Sequence, residues 1–381
     1  MPYFFLFLST LILGSIMSIS SNHWIFMWMG LEINLLSFIP LVFSSSSNQE
    51  SEASVKYFLV QATGSSLLLL GSLSYYFNTN LLISSSTFFI ILSVGLMMKM
   101  GVAPFHFWLP QVMSSISWFS CMCLATWQKV APLLIINKLY MMEQNKMIMS
   151  ISLLSVIMGG IGGLNQTQLR PLLAYSSISH LGWMLMGAFL STPMMIMYFL
   201  IYSITTLSIM WILMKMQKSN NSVASLNSNS LPLLTLLMIL FLSLGGLPPL
   251  LGFLPKWGMI QIMSFHNMLL MGILMLSFSL LNLFYYMNIF FNLMLTSAPL
   301  IIYKEKQNIF MISITIISTL SICIFPFIMI YAMILLHKPQ SYWNFMFYSW
   351  NLIRSSSNLH KTINSSSISS TWSPSSKSPV M

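Results

Sequence analysis

Residues Leu96–Gln111 read LMMKMGVAPFHFWLPQ. An apolar run ends on Lys99. Gly101, Pro104 and Pro110 then interrupt the backbone, with His106 between the prolines. Proline removes a backbone donor and clashes with the preceding turn, so a helix through this stretch breaks. The piece that follows, 104–115, is too short to cross a bilayer and reads as the second half of a broken helix or a re-entrant segment. Around it the chain avoids charge: 5% of its 381 residues are charged and 56% are hydrophobic, where an ordinary soluble domain has about 25% charged. So little charge cannot cover a soluble surface. The composition therefore predicts an all-α polytopic membrane protein.

The net charge of +10 does not point to nucleic acid. The basic residues are scattered singly, whereas a nucleic-acid surface concentrates them in patches. Cys121, Cys123 and Cys323 lack the spacing of a zinc or iron–sulfur site and read as small buried apolar residues. The apolar start, Met1–Ser20, has no basic leader and no Arg-rich amphipathic pattern, so it reads as a first span rather than a targeting segment. Methionine, at 35 residues, often stands where Leu or Ile would serve, a bias that fits an organelle-encoded chain.

Apolar windows of about 20 residues mark eleven spans. They run over 3–21, 24–43, 55–77, 82–103, 116–138, 146–164, 170–190, 194–216, 232–264, 267–297 and 308–336. The ninth is long and interrupted by GGLPP (245–249), as the fourth ends in GVAP (101–104). Two interrupted spans, each the fourth of a set of five, are the mark of a transporter built from repeats. Five is odd, so the second set starts from the opposite face and the repeats are inverted. The expected organisation is a first five-helix repeat over 1–138, a second over 139–297, a last helix over 298–340, and a Ser-rich, disordered tail over 341–381. Lys56, Arg170, Lys215, Lys218, Lys304 and Lys306 cluster near loops after even-numbered spans. The positive-inside rule then puts the N-terminus on the inner side and the C-terminus outside.

Four ionisable residues stand well inside apolar runs: Glu32 in the second span, Lys129 in the fifth, and Lys99 and Lys256 beside the two breaks. One charge at the bilayer centre costs about 2.5–3.5 kcal/mol on insertion scales. Four of them approach the whole net stability of a domain, about 5–15 kcal/mol. Such residues are expected to be paired or to line water. A lysine out of water releases its proton more readily, and an adjacent carboxylate reverses this. Glu32 and Lys99 are therefore expected to pair, with Lys129 next along a proton relay and Lys256 after it. His180, among Tyr175, Ser176, Ser177 and Ser179, suits a relay or a satisfied packing role. The same two readings fit His106. GGIGG (159–163) suits close helix contact or a turn.

Five ordered stretches carry a resemblance: WMGLEINLLSFIP (28–40), KMGVAPFHFWLPQV (99–112), TWQKVAPL (126–133), GGLNQTQLRPLLAYSSISHLGWM (162–184) and LSLGGLPPLLGFLPKW (242–257). Together they resemble the mitochondrially encoded subunit 2 family of NADH dehydrogenase, antiporter-like membrane-arm subunits of respiratory complex I. The resemblance implies inverted five-helix repeats, each with a broken helix, and a line of ionisable residues along the bilayer midplane. The family's glutamate falls on Glu32 and its lysines on Lys99, Lys129 and Lys256. It implies proton translocation coupled to NADH-to-ubiquinone electron transfer. No cofactor is implied in this chain, since NADH, FMN, iron–sulfur clusters and ubiquinone bind elsewhere in the complex. Its partners would be neighbouring membrane-arm subunits and the lipid bilayer, with no nucleic acid. Its place would be the mitochondrial inner membrane, with the N-terminus in the matrix and the C-terminus in the intermembrane space.

Two departures stand out: Gln111 occupies a position where many relatives carry Glu, and the Ser-rich tail has no family counterpart. Two other functions fit the same residues. One is a free-standing cation/proton antiporter. The other is a purely structural membrane subunit, which predicts lysines facing scattered directions rather than one connected polar line.

Overall fold

A chain in hydrocarbon has to satisfy its own amides. The computed structural model describes residues 2–43, 48–77, 85–142, 147–216 and 231–297, and among these it is all α-helix apart from short connections. The helices are α1 (Pro2–Ser20), α2 (Trp24–Val42), α3 (Asn48–Phe77), α4 (Ser85–Met100), α5 (Trp108–Ser115), α6 (Trp118–Ala125), α7 (Trp127–Met142), α8 (Met147–Leu164), α9 (Leu169–Leu190), α10 (Thr192–Met216), α11 (Leu231–Gly245), α12 (Phe253–Phe265) and α13 (Leu269–Ser297). The expected last span over 298–340, the tail over 341–381 and the loop over 218–230 lie outside the described residues.

Six helical stretches among the described residues are long and apolar enough to cross a membrane: Trp24–Val42, Asn48–Tyr75, Trp118–Tyr140, Met147–Leu164, Thr192–Met216 and Leu269–Met294. Phe4–Ser20, Thr87–Met100 and Leu233–Gly245 are shorter apolar helices. By length and composition this is fewer than the eleven crossings expected. The breaks shorten two candidates, and α9 is too polar to qualify.

Helix α9 shows why polarity is tolerated there. Of its 22 residues, 18 are buried by neighbouring helices, so its serines and His180 never face lipid. It packs against α5, α7, α8, α10, α12 and α13.

Both breaks end their helix in the same way. Gly101 (φ 73°) and Gly246 (φ 83°) adopt the left-handed conformation that glycine enters without steric penalty. The next amides, Val102 N–H and Leu247 N–H, reach back to Met97 O at 3.2 Å and Leu242 O at 3.4 Å. This is the Schellman ending, which satisfies carbonyls that the stopped helix leaves free. Residues 101–107 then lead to α5, and residues 246–252 lead to α12.

The helix pairings also recur. Helix α1 packs on α2, α3 on α4 and α5, and α4 on α7; likewise α8 packs on α9, α10 on α11 and α12, and α11 on α13. Small residues allow the first pair of each set to approach. A Cβ on Gly30 would stand 2.7 Å from Gly14 O, and one on Gly159 would stand 2.6 Å from Ser179 N. In the GGIGG run, Gly159 and Gly162 face α9, whereas Gly160 and Gly163 face α13.

The fifth span differs from its expected continuous form. It divides at Thr126 into α6 and α7. Thr126 Oγ1 donates to Met122 O at 2.7 Å, a back-bond that bends helices. Pro132 in α7 leaves the Gln128 carbonyl without its helical donor. The bend falls one turn before Lys129.

Candidate functional site

Lys99 lies in the last turn of α4, two residues before Gly101. Its carbonyl accepts from Gln61 Nε2 on α3 at 3.1 Å. Its stem passes over Gly64, where a Cβ would come within 3.2 Å of Lys99 Cγ. Its amine is buried and has no hydrogen-bond partner in the protein.

That side chain borders two small cavities of about 10 Å³ each. This is close to the minimum space for one water, about 10–15 Å³. Tyr57, Gln61, Lys99 and Gln128 line both cavities. Lys129 lines the first and Asn34 the second. Gln128 Nε2 donates to Asn34 Oδ1 at 3.0 Å, tying α7 to α2 across the cavity wall. Lys99 and Lys129 thus face one shared buried space.

Lys129 is 2% exposed, which rules out snorkelling to an interface. Its amine donates to Tyr202 Oη on α10 at 3.5 Å and lies 5.3 Å from the centre of that ring. His180 also neighbours this ring, with ring centres 5.2 Å apart. His180 Nδ1 is hydrogen-bonded to Tyr198 Oη at 2.9 Å, one turn before Tyr202 on the same helix. His180 Nε2 has no partner in the protein. Both Lys256 and Lys129 stand close enough to act electrostatically on His180.

At the second break, Lys256 on α12 turns back and donates to Gly245 O at 2.8 Å. It thereby occupies a carbonyl at the end of α11. Its amine would stand 2.9 Å from a Cβ on Gly246, so that glycine makes room for it.

The structure sharpens the reading of the two breaks and of His106 and corrects the expected Glu32–Lys99 pair. The two lysines beside the breaks are not equivalent: Lys99 comes two residues before Gly101, whereas Lys256 comes ten after Gly246. The residue ten after Gly101 is the exposed Gln111. Glu32 and Lys99 form no ion pair. Glu32 is half-buried with Oε2 unpartnered in the protein, and it acts on Lys99 and Tyr57 through space. One face of α2 points Asn34 at the cavity, while Glu32, two residues away, falls on another face. His106 is buried in the break but meets Pro104 O at 3.2 Å, a local bond, and it lines neither cavity.

Sequence reading missed Tyr57, Gln61, Gln128, Tyr198 and Tyr202. Spacing was the signal for four of them: Tyr57/Gln61 and Tyr198/Tyr202 are each four apart, on one helix face. Lys138, also on α7, serves a different end. Its amine donates to Ile19 O at 2.6 Å and Ser21 O at 3.3 Å, capping α1.

The arrangement suits proton handling. Two lysines line a water-sized cavity, a phenol contacts the amine of one of them, and an imidazole packs at a tilt beside the phenol. Each of these groups exchanges a proton, and hydroxyls both donate and accept. Among the described residues no cluster of His, Cys, Asp or Glu is arranged to hold a metal ion.

A family model described as "NADH:quinone oxidoreductase/Mrp antiporter, TM" matches residues 21–282, which contain all of these groups. The chain belongs to this family. Among NADH:quinone oxidoreductase/Mrp antiporter members, it is 40% identical over 336 residues to NADH-ubiquinone oxidoreductase chain 2 of Dasypus novemcinctus, covering 85% of this chain and 96% of that one. It is also 40% identical to the chain of the same name from Locusta migratoria, covering 83% of this chain and 93% of that one. A chain of respiratory complex I from Thermus thermophilus shares the fold with a TM-score of 0.73 at 24% identity, over 84% of this chain and 77% of that one. A chain of the Mrp complex from Dietzia sp. DQ12-45-1b does so with a TM-score of 0.69 at 18% identity, over 74% of this chain and 59% of that one.

Proposed function

We propose that this chain is a proton-translocating membrane-arm subunit of NADH:ubiquinone oxidoreductase in the mitochondrial inner membrane. It couples electron transfer from NADH to ubiquinone, carried out elsewhere in the complex, to proton movement along its own buried residues. The observation that carries this reading is the shared cavity of Lys99 and Lys129, continued through Tyr202 to His180. A purely structural subunit has no use for buried amines converging on one space, because each costs stability. Membership of the family and the names of its animal relatives support the respiratory complex over a free-standing antiporter.

On this reading residues 1–138 and 139–297 are inverted five-helix repeats. The matched Schellman endings and the recurring helix pairs support it. The same sequence interval separates Gly14 from Gly159 and Gly101 from Gly246. The N-terminus faces the matrix. Lys99, Lys129, His180 and Lys256 carry protons, while Glu32 sets the field at Lys99 from one side. The reading assigns the chain no redox cofactor; its partners are neighbouring membrane-arm subunits and lipid.

Lys99→Gln tests the reading. The complex is expected to assemble and to lose most of its proton translocation, because an amide fills the space but carries no exchangeable charge. Unchanged translocation contradicts the role of Lys99.

A further inference from the structure

The two breaks satisfy their free carbonyls with different side chains. The backbone turns back in the same way at each. Gly101 N–H reaches Met97 O and Met98 O, and Gly246 N–H reaches Leu242 O and Ser243 O; Val102 N–H and Leu247 N–H return to Met97 O and Leu242 O. The carbonyls of Lys99 and Met100, and of Leu244 and Gly245, receive none of these amides. In each break a side chain from another helix supplies a donor to one of them. Lys256 on α12 donates to Gly245 O at 2.8 Å, and Gln61 on α3 donates to Lys99 O at 3.1 Å. At the second break the donor is the lysine itself. At the first, a neutral amide takes the carbonyl, and the Lys99 amine is left without a partner in the protein.

Glycine brings Gln61 within reach. Helices α3 and α4 meet at Gly64 and Gly95: a Cβ on Gly64 would stand 3.3 Å from Gly95 O, and one on Gly95 would stand 3.0 Å from Gly64 O. Gln61 lies three residues before Gly64, on the same face of α3, and is 4% exposed. Helix α3 therefore holds Lys99 at two points. Gln61 takes its carbonyl, and Gly64 makes room for its stem, where a Cβ would come within 3.2 Å of Lys99 Cγ. Lys99 and Gln61 both border the two cavities.

We propose that Gln61 is a positioning residue for proton transfer: its amide fixes the turn that carries Lys99, and so sets where the Lys99 amine stands relative to the cavity shared with Lys129. The inference rests on the proton-relay reading above. A buried carbonyl stripped of its donor also costs stability. The test must therefore separate aiming the lysine from closing a helix end.

The test is Gln61→Met in the assembled complex, alone and combined with Lys99→Gln, with Lys138→Met beside it. Methionine fills similar space and cannot donate. Lys138→Met takes the donor from Ile19 O and Ser21 O at the end of α1, carbonyls outside both cavities. If Gln61 only closes a helix end, Gln61→Met behaves as Lys138→Met does. The complex is then less stable, the pH profile of coupled turnover is unchanged, and any loss of turnover adds to that of Lys99→Gln. The positioning role predicts a loss of NADH:ubiquinone turnover coupled to proton movement of about three- to tenfold. It predicts an altered pH profile, because Glu32 acts on Lys99 through space and Lys129 borders the same cavity. It also predicts no further loss when Gln61→Met is added to Lys99→Gln, since residues acting through one another are not additive. An unchanged pH profile, or a loss that adds to that of Lys99→Gln, overturns the role of Gln61; the relay stands if Lys99→Gln alone loses translocation. If Lys99→Gln keeps its translocation, the relay reading fails and the role of Gln61 falls with it. Should Gln61→Met not assemble, Gln61→Asn, which draws the amide back by one methylene, is judged by the same outcomes.

Discussion

The Lys129 amine stands 3.5 Å from the Tyr202 hydroxyl and 5.3 Å from the centre of its ring, so one tyrosine offers it both an acceptor and a π face. Out of water, this amine is stabilised by both kinds of contact. The ring supplies an attraction that survives loss of the hydroxyl, and the hydroxyl supplies an atom that can pass a proton on.

Tyr202→Phe separates these contributions. A hydrogen bond to a charged group is worth about 1.5–3 kcal/mol, so its loss is expected to slow coupled turnover by about tenfold or more. The ring contact should keep the complex assembled. Tyr202→Leu removes both contacts and is expected to reduce assembly as well. Turnover and the amount of complex on native gels check both outcomes.

Gly246 and Gly101 hold left-handed conformations, in which a side chain costs roughly 1–2 kcal/mol. At Gly246 the new Cβ also crowds the Lys256 amine. Gly246→Ala is therefore expected to lower activity more than Gly101→Ala at similar loss of thermal stability. Gly252→Ala is expected to prevent assembly, because its Cβ would overlap Ser243 O, a backbone atom that cannot move aside. Thermal melts of the extracted complex, with turnover measured alongside, check the order.

Lys138 holds two carbonyls at the end of α1 and has no place on the relay. Lys138→Met is expected to destabilise the complex by about 1–3 kcal/mol. Protons moved per NADH oxidised should be unchanged in the complex that does assemble. A fall in that ratio would place Lys138 in proton transfer.

Gln128→Leu removes a polar wall shared by both cavities and leaves the Asn34 amide without its donor. Buried polar groups stripped of a partner cost about 1–3 kcal/mol. Reduced stability together with slower turnover is expected. Gln128→Glu, which keeps the shape and adds a charge between two amines, should lower turnover with less loss of stability.

Much of this was legible in the sequence, for physical reasons. A lysine or a proline inside an apolar run is expensive or disruptive, so Lys99, Lys129, Lys256 and the two breaks stood out against their surroundings. Tyrosine is neither, and Tyr198 and Tyr202 look like ordinary packing until a neighbouring helix places His180 and Lys129 against them. The bend at Thr126 was hidden because a back-bonding threonine reads as one more small residue in a helix. The Glu32–Lys99 pair failed for a related reason. Depth in the membrane can be judged from position along a span, but the direction a side chain takes around its helix depends on what packs beside it. Asn34, not Glu32, faces the cavity.

The most direct test is the number of protons translocated per NADH oxidised by complex carrying Lys129→Ala, measured in sealed membranes. Lys129 is the group that joins the cavity to Tyr202 and His180, so its loss cuts the line at its centre. The account predicts assembled complex with that number markedly reduced. Assembled complex that moves as many protons per NADH as the unaltered one would contradict it.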